Sequence, residues 1–188
     1  MMGTMVYKRY ADDYENEITI DENGRERKTP VYHGKYYTIN LDLTGISRFK
    51  RTMTLLTIIS AGLHVGAGFV NNPGMNHFFV AVPYVVAFFP LLYLFDGATR
   101  LPNNKPIFKR DEIGLTFDRM RSASIFLLIS IGAGILGDIL YIVLMEPKII
   151  NELFYLQFEL MALFGIYFVM RNQNAVQITE FKDEISET

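Results

Sequence analysis

The sequence predicts an all-α membrane protein: a four-helix transmembrane bundle made of two helical hairpins, with a small N-terminal cytoplasmic β-hairpin extension. Three observations predict it. Half of the 188 residues are hydrophobic, and they gather into four blocks instead of spreading as the periodic stripes of a water-soluble domain. Each block approaches the roughly 20 apolar residues that a helix needs to cross about 30 Å of hydrocarbon. All but one of the 18 lysines and arginines fall on the side that such a threading makes common to both termini and the middle loop.

Residues 1–47 form a tail on that side. The opening MMGTMVYKRYADDYENE lacks the apolar core of a secretory signal, and Met1-Met2-Gly3 lacks the glycine directly after the initiator that myristoylation requires. Neither cleavage nor a lipid anchor is expected. From Glu17 to Asn40, Ile18 and Ile20 alternate with polar residues, Asn23-Gly24 supplies a tight turn, and Val31, Tyr32, Tyr36 and Tyr37 follow. This is the pattern of a β-hairpin with one further short strand. So small a motif holds no core of its own and must rest on the membrane surface, other loops or a partner.

The transmembrane domain spans residues 48–170. Its spans are expected at about 52–70, 78–95, 124–145 and 149–170, and residues 171–188 form a second tail on the same side as the first. The short turn Asn71-Asn72-Pro73-Gly74 makes the first two helices antiparallel neighbours, and Glu146-Pro147-Lys148 does the same for the last two. Nine lysines and arginines precede the first span, six lie in the loop 97–121, two follow the fourth span, and only Lys148 falls in a tight turn. The positive-inside rule makes the crowded side cytoplasmic, so this is a multi-pass plasma-membrane protein with both termini inside. In the middle loop, Asp111 is expected to cap a short amphipathic helix carrying Ile113, Phe117 and Met120, with Arg110, Asp118, Arg119 and Arg121 on its other face.

The runs Asn71-Asn72-Pro73-Gly74, Val82-Pro83-Tyr84-Val85 and Phe89-Pro90-Leu91-Leu92-Tyr93 resemble a segment of uncharacterised small four-span membrane proteins of Gram-positive bacteria. The resemblance covers the first hairpin and implies a bacterial plasma membrane. It transfers no activity, cofactor or functional residue.

Composition narrows the chemistry. Without cysteine there are no disulfides, thiolate nucleophiles or thiolate metal sites, and a net charge of −2 points to no nucleic-acid partner. The HExxH, GxSxG and GxxxxGK[ST] motifs are absent, so no catalytic residue, cofactor or metal is predicted, and a Ser60 and His64 pair on one helix face is only a weak hint of a hydrolase. His33 and His77 lie outside the spans, where solvation is their expected state.

Small residues mark helix contacts: Gly62 and Gly66 in the first span, opposite a polar face of Thr57, Ser60 and His64, and Gly134 and Gly137 in the third beside Ser130, Asp138 and Tyr141. On the fourth, Glu152, Tyr155, Glu159 and Ala162 share a stripe. Counting at 1.5 Å per residue puts His64, Tyr84, Asp138 and Glu159 between the midplane and roughly 6 Å toward the outside. Three readings are open for this intramembrane layer: a structural network, a proton or cation pathway, or a metal site of one imidazole and two carboxylates. The expected function is a non-enzymatic accessory or scaffold subunit of a membrane complex, and the alternative is a small oligomeric proton- or cation-coupled transporter. Either way its partners are membrane lipids and further subunits, in a homo-oligomer or a larger membrane complex.

Overall fold

The computed structural model describes residues 10–20, 26–145 and 149–181. The predicted turns at Asn23-Gly24 and Glu146-Pro147-Lys148 lie outside them. Four long helices follow one another: α1 Leu43–Gly68, α2 Phe78–Arg100, α3 Arg110–Met145 and α4 Ile149–Asn174. The last three are long and apolar enough to cross a membrane. The 26-residue α1 is less apolar, because it carries Arg48, Lys50 and Arg51 in its first turns and Thr52, Thr54, Thr57, Ser60 and His64 beyond them.

α1 begins ahead of the apolar block because the Asp42 carboxylate caps it, accepting from the Gly45 N–H at 2.7 Å. Its buried residues, Ile46, Phe49, Met53, Thr57, Ser60, His64 and Ala67, recur every three or four positions. The opposite face exposes Leu55, Ile58, Ile59 and Val65. In the stretch Thr57–His64 the polar groups therefore point inward and Ile58 and Ile59 outward, the reverse of a helix on a water-soluble protein. Gly62 lies on the outward face, and nothing comes within 4 Å of a Cβ placed there.

The helices form a ring in which α1 packs on α2, α2 on α3, α3 on α4 and α4 on α1. Contact between α2 and α3 depends on a proline and a glycine. Pro83 has no N–H, so the carbonyl of Phe79 one turn earlier loses its helical partner. Gly137 of α3 sits against that carbonyl, and a Cβ at Gly137 would collide with the Phe79 oxygen.

The predicted loop helix is not separate. α3 starts at Arg110, passes through a wide π-type stretch at Gly114–Asp118 and runs on into the third apolar block, 36 residues in all. Its first turn is closed by Glu112, which accepts from the Lys109 N–H at 2.9 Å, while Asp111 instead accepts from the Tyr14 hydroxyl at 2.9 Å. Ile113, Phe117 and Met120 are buried in the bundle, with Phe117 stacked on Phe49 at 5.8 Å, rather than laid on headgroups. The apolar periodicity never breaks between Ile113 and the span, so one helix satisfies both segments.

Beyond the helices, β1 Tyr14–Ile20 and β2 Glu26–Tyr32 pair antiparallel as a ribbon. β3 Tyr36–Ile39 pairs with β4 Ile107–Lys109 on one side and β5 Ile178–Glu180 on the other. This small sheet ties the N-terminal tail, the middle loop and the segment after α4 together at one end of the bundle. Three-residue strands show no period in sequence, which is why β4 and β5 were not anticipated. Tyr32 anchors the ribbon to the sheet: its hydroxyl donates to the Lys35 carbonyl at 2.6 Å and accepts from the Arg110 N–H at 3.0 Å. Burial raises its pKa, which keeps that donor protonated.

Gly137→Ala is expected to lower stability by about 1–3 kcal/mol, because the added methyl overpacks against the Phe79 carbonyl. Gly62→Ala should be close to neutral. Thermal unfolding of both variants in detergent reads the difference, and equal effects would remove the close approach from the account.

Candidate functional site

Mid-bundle, α1, α2 and α4 bring three of the predicted residues together. His64 is fully buried, and its Nδ1 lies 2.9 and 3.1 Å from the two carboxylate oxygens of Glu159. Its Nε2 lies 3.1 Å from the Tyr84 carbonyl, and the Tyr84 hydroxyl donates back to the His64 carbonyl at 3.2 Å. The rings of Tyr84 and Phe88 close over the imidazole at 4.4 and 4.8 Å.

This geometry settles a proton count. Facing a carbonyl, Nε2 must carry a hydrogen. One further proton then lies between Nδ1 and Glu159, either on the ring as imidazolium beside carboxylate or on the acid beside a neutral ring. Both arrangements carry no net charge, which is what burial away from water demands.

Asp138 does not join this group. It sits seven residues before the end of α3, about 10 Å along the axis, whereas Glu159 is ten residues into α4, about 15 Å. The two depths differ by about 5 Å, within the expected band, and it is the hydrogen bonds that divide the layer into two levels. At the level nearer the turns, Asn72 Nδ2 donates to Asp138 Oδ1 at 3.1 Å, and Glu152 stands beside Asp138. Tyr155 lies between the levels, its ring 6.4 Å from Tyr84 and its buried hydroxyl without a hydrogen-bond partner among the described residues.

Sequence reasoning missed Asn72 and Glu152 as members of the site. The signal for Glu152 was present in the Glu152, Tyr155, Glu159 stripe, which was not followed as far as the turn. Asn72 was read as a turn residue only, since nothing local shows that its amide turns inward.

Among the described residues, no three His, Asp or Glu side chains are arranged around a common metal position, so His64, Asp138 and Glu159 do not form one. Nor does Ser60 pair with His64. Both ring nitrogens are engaged elsewhere, and the buried Ser60 Oγ has no hydrogen-bond partner among the described residues. A nucleophile needs its base within reach, so the hydrolase hint finds no geometry.

The glycines divide likewise. Gly137 permits a close helix approach, Gly134 is buried 3.6 Å from the Tyr155 hydroxyl, Gly66 stands 3.4 Å from the Phe158 ring, and Gly62 faces outward, each distance measured from an added Cβ. Compared with known proteins, the chain matches no family, no curated protein and no solved structure.

Two tyrosine hydroxyls give a test. Tyr84→Phe removes a hydrogen bond and is expected to cost about 0.5–1.5 kcal/mol. Tyr155→Phe removes a buried hydroxyl that has no hydrogen-bond partner among the described residues and should be neutral or stabilising. Paired thermal unfolding measurements check this, and a larger loss from Tyr155→Phe would show that its hydroxyl is engaged.

Proposed function

We propose that this chain is a four-pass membrane protein whose termini, sheet and middle loop are cytoplasmic, and that it serves as a non-enzymatic accessory or scaffold subunit of a larger membrane complex. The apolar outward face of α1 supports a fourth crossing beside the three apolar helices. With four crossings, the tail, loop and final strand share one side, and the sheet that joins them is in keeping with this. Their shared wealth of lysine and arginine makes that side the cytoplasm.

The observation that carries the scaffold reading is the β1–β2 ribbon. Glu15, Asn16, Glu17, Lys28 and Pro30 are exposed, and Ile18 is 62% exposed. A two-stranded ribbon is marginal alone in water. Here its base is fixed, by Tyr32 and by edge-on contacts of that ring with Tyr14 at 5.1 Å and Tyr36 at 5.2 Å, with Lys109 Nζ 5.1 Å from the Tyr32 ring centre. A fixed base with an exposed apolar residue is a fitting shape for holding a protein partner. The carrier alternative is less well supported, because the half of the bundle nearest the sheet is filled by Phe49, Met53, Leu94, Phe117, Leu127 and Ile166. A carrier needs its ionisable groups to communicate with both sides.

The absence of cysteine makes single-cysteine variants clean probes. Asn71→Cys is expected to react with an impermeant thiol reagent on intact cells, and Ile18→Cys only after permeabilisation. A bifunctional reagent at Ile18→Cys should then trap one discrete protein adduct in membranes. Reversed labelling would overturn the orientation. No adduct, with the protein recovered alone as a monomer in several mild detergents, would overturn the scaffold reading.

A further inference from the structure

We propose that the turn end of the bundle, opposite the sheet, binds a hard divalent cation of the calcium type between Asp138, Glu152 and the side-chain carbonyl of Asn72. This holds independently of the scaffold reading.

Three elements converge there: the turn at Asn72 and the short 3₁₀ segment Pro73–Asn76, the last third of α3, and the first turn of α4. A Cβ placed on Gly74 would lie 2.6 Å from Asp138 Oδ1, 2.8 Å from Asn72 Oδ1 and 3.1 Å from the Tyr141 ring. Oxygens from two elements thus point at one spot over a residue that has no side chain. Glu152 faces the same Gly74 backbone amide and the Asp138 carboxyl. Asp138 and Glu152 are fully buried, and Asn72 is 5% exposed.

The donors and acceptors do not balance. One donor, Asn72 Nδ2, serves Asp138 Oδ1. Asp138 Oδ2, both Glu152 oxygens and Asn72 Oδ1 have no hydrogen-bond partner among the described residues. Carboxylates and amide carbonyls only accept, so these four oxygens cannot satisfy one another. A proton shared by the two acids, which stand within reach of each other, would form one hydrogen bond and still leave Asn72 Oδ1 without a donor. A divalent ion takes oxygens from all three side chains and cancels both negative charges, whereas a monovalent ion would leave one buried charge uncompensated. An all-oxygen set of carboxylates and a carbonyl is what hard cations select, and calcium tolerates irregular geometry better than magnesium.

The test uses the full-length protein in detergent, stripped with a chelator and titrated with calcium chloride, and with terbium as a luminescent stand-in excited through tyrosine. Tyr141 stands at the site, and the chain has no tryptophan to interfere. The expected result is a saturable rise in unfolding temperature with calcium and a terbium signal that calcium displaces. Glu152→Gln, which preserves shape, and Asn72→Ala should each weaken binding by about tenfold or more, since even residues behind the ligands have effects of that size. An unchanged unfolding temperature and no terbium signal in the wild type would overturn the proposal. So would a signal that Glu152→Gln leaves intact, or a stabilisation that follows pH alone, which would assign the site to a shared proton.

Discussion

The hydrogen-bonded pair of His64 and Glu159 sets the terms for the rest of the bundle, because neither group is tolerable in an apolar interior without the other. Leaving either group buried without its partner costs several kcal/mol. The pair therefore fixes which face of α1 meets which face of α4, and the exchange between Tyr84 and the His64 backbone fixes α2 against the same level. Once these faces are set, the rest of α1 follows. Thr57, Ser60 and His64 point in, and Leu55, Ile58, Ile59 and Val65 point out.

Close packing completes what the polar contacts begin. Lipid tails are as apolar as leucine, so helices inside a membrane gain little from hiding apolar surface and depend on shape and hydrogen bonds. Gly137 against the carbonyl freed by Pro83 is one such fit, and Gly165 against Ser60 is another, since a Cβ there would collide with the serine oxygen. At the sheet end the chemistry differs. Phe49, Phe108 and Phe117 build an aromatic core, and strands from three distant segments close over it.

Much of this was legible in the residues. Apolar block lengths located the helices, and the placement of Ile18 and Ile20 located the ribbon, because both signals are local and periodic. The two-level site was not legible. Counting along each helix gives depth but not which side chains at one depth turn toward each other, and Asp138 turns to Asn72 while Glu159 turns to His64. Gly62 shows a second limit: a small-xxx-small pair marks residues able to pack, and here Gly66 meets the Phe158 ring while Gly62 meets nothing among the described residues. In α1 the polar stripe takes the interior, where His64 meets Glu159 and the Thr57 hydroxyl donates to the Met53 carbonyl, and Gly62 is left outside. The continuity of α3 was obscured by Arg119 and Arg121, charges that suggested a loop but sit on the rim of a long helix, Arg119 paired with Asp96.

The account rests on His64 and Glu159 acting as one mutually satisfied buried pair, and a double-mutant cycle on the two tests this most directly. His64→Leu and Glu159→Leu should each destabilise the detergent-solubilised protein. The double variant, with no polar group left unpaired, should lose less than the two single losses together, with a coupling energy of at least about 1 kcal/mol. Strictly additive losses would contradict the claim and leave the two residues as independent neighbours.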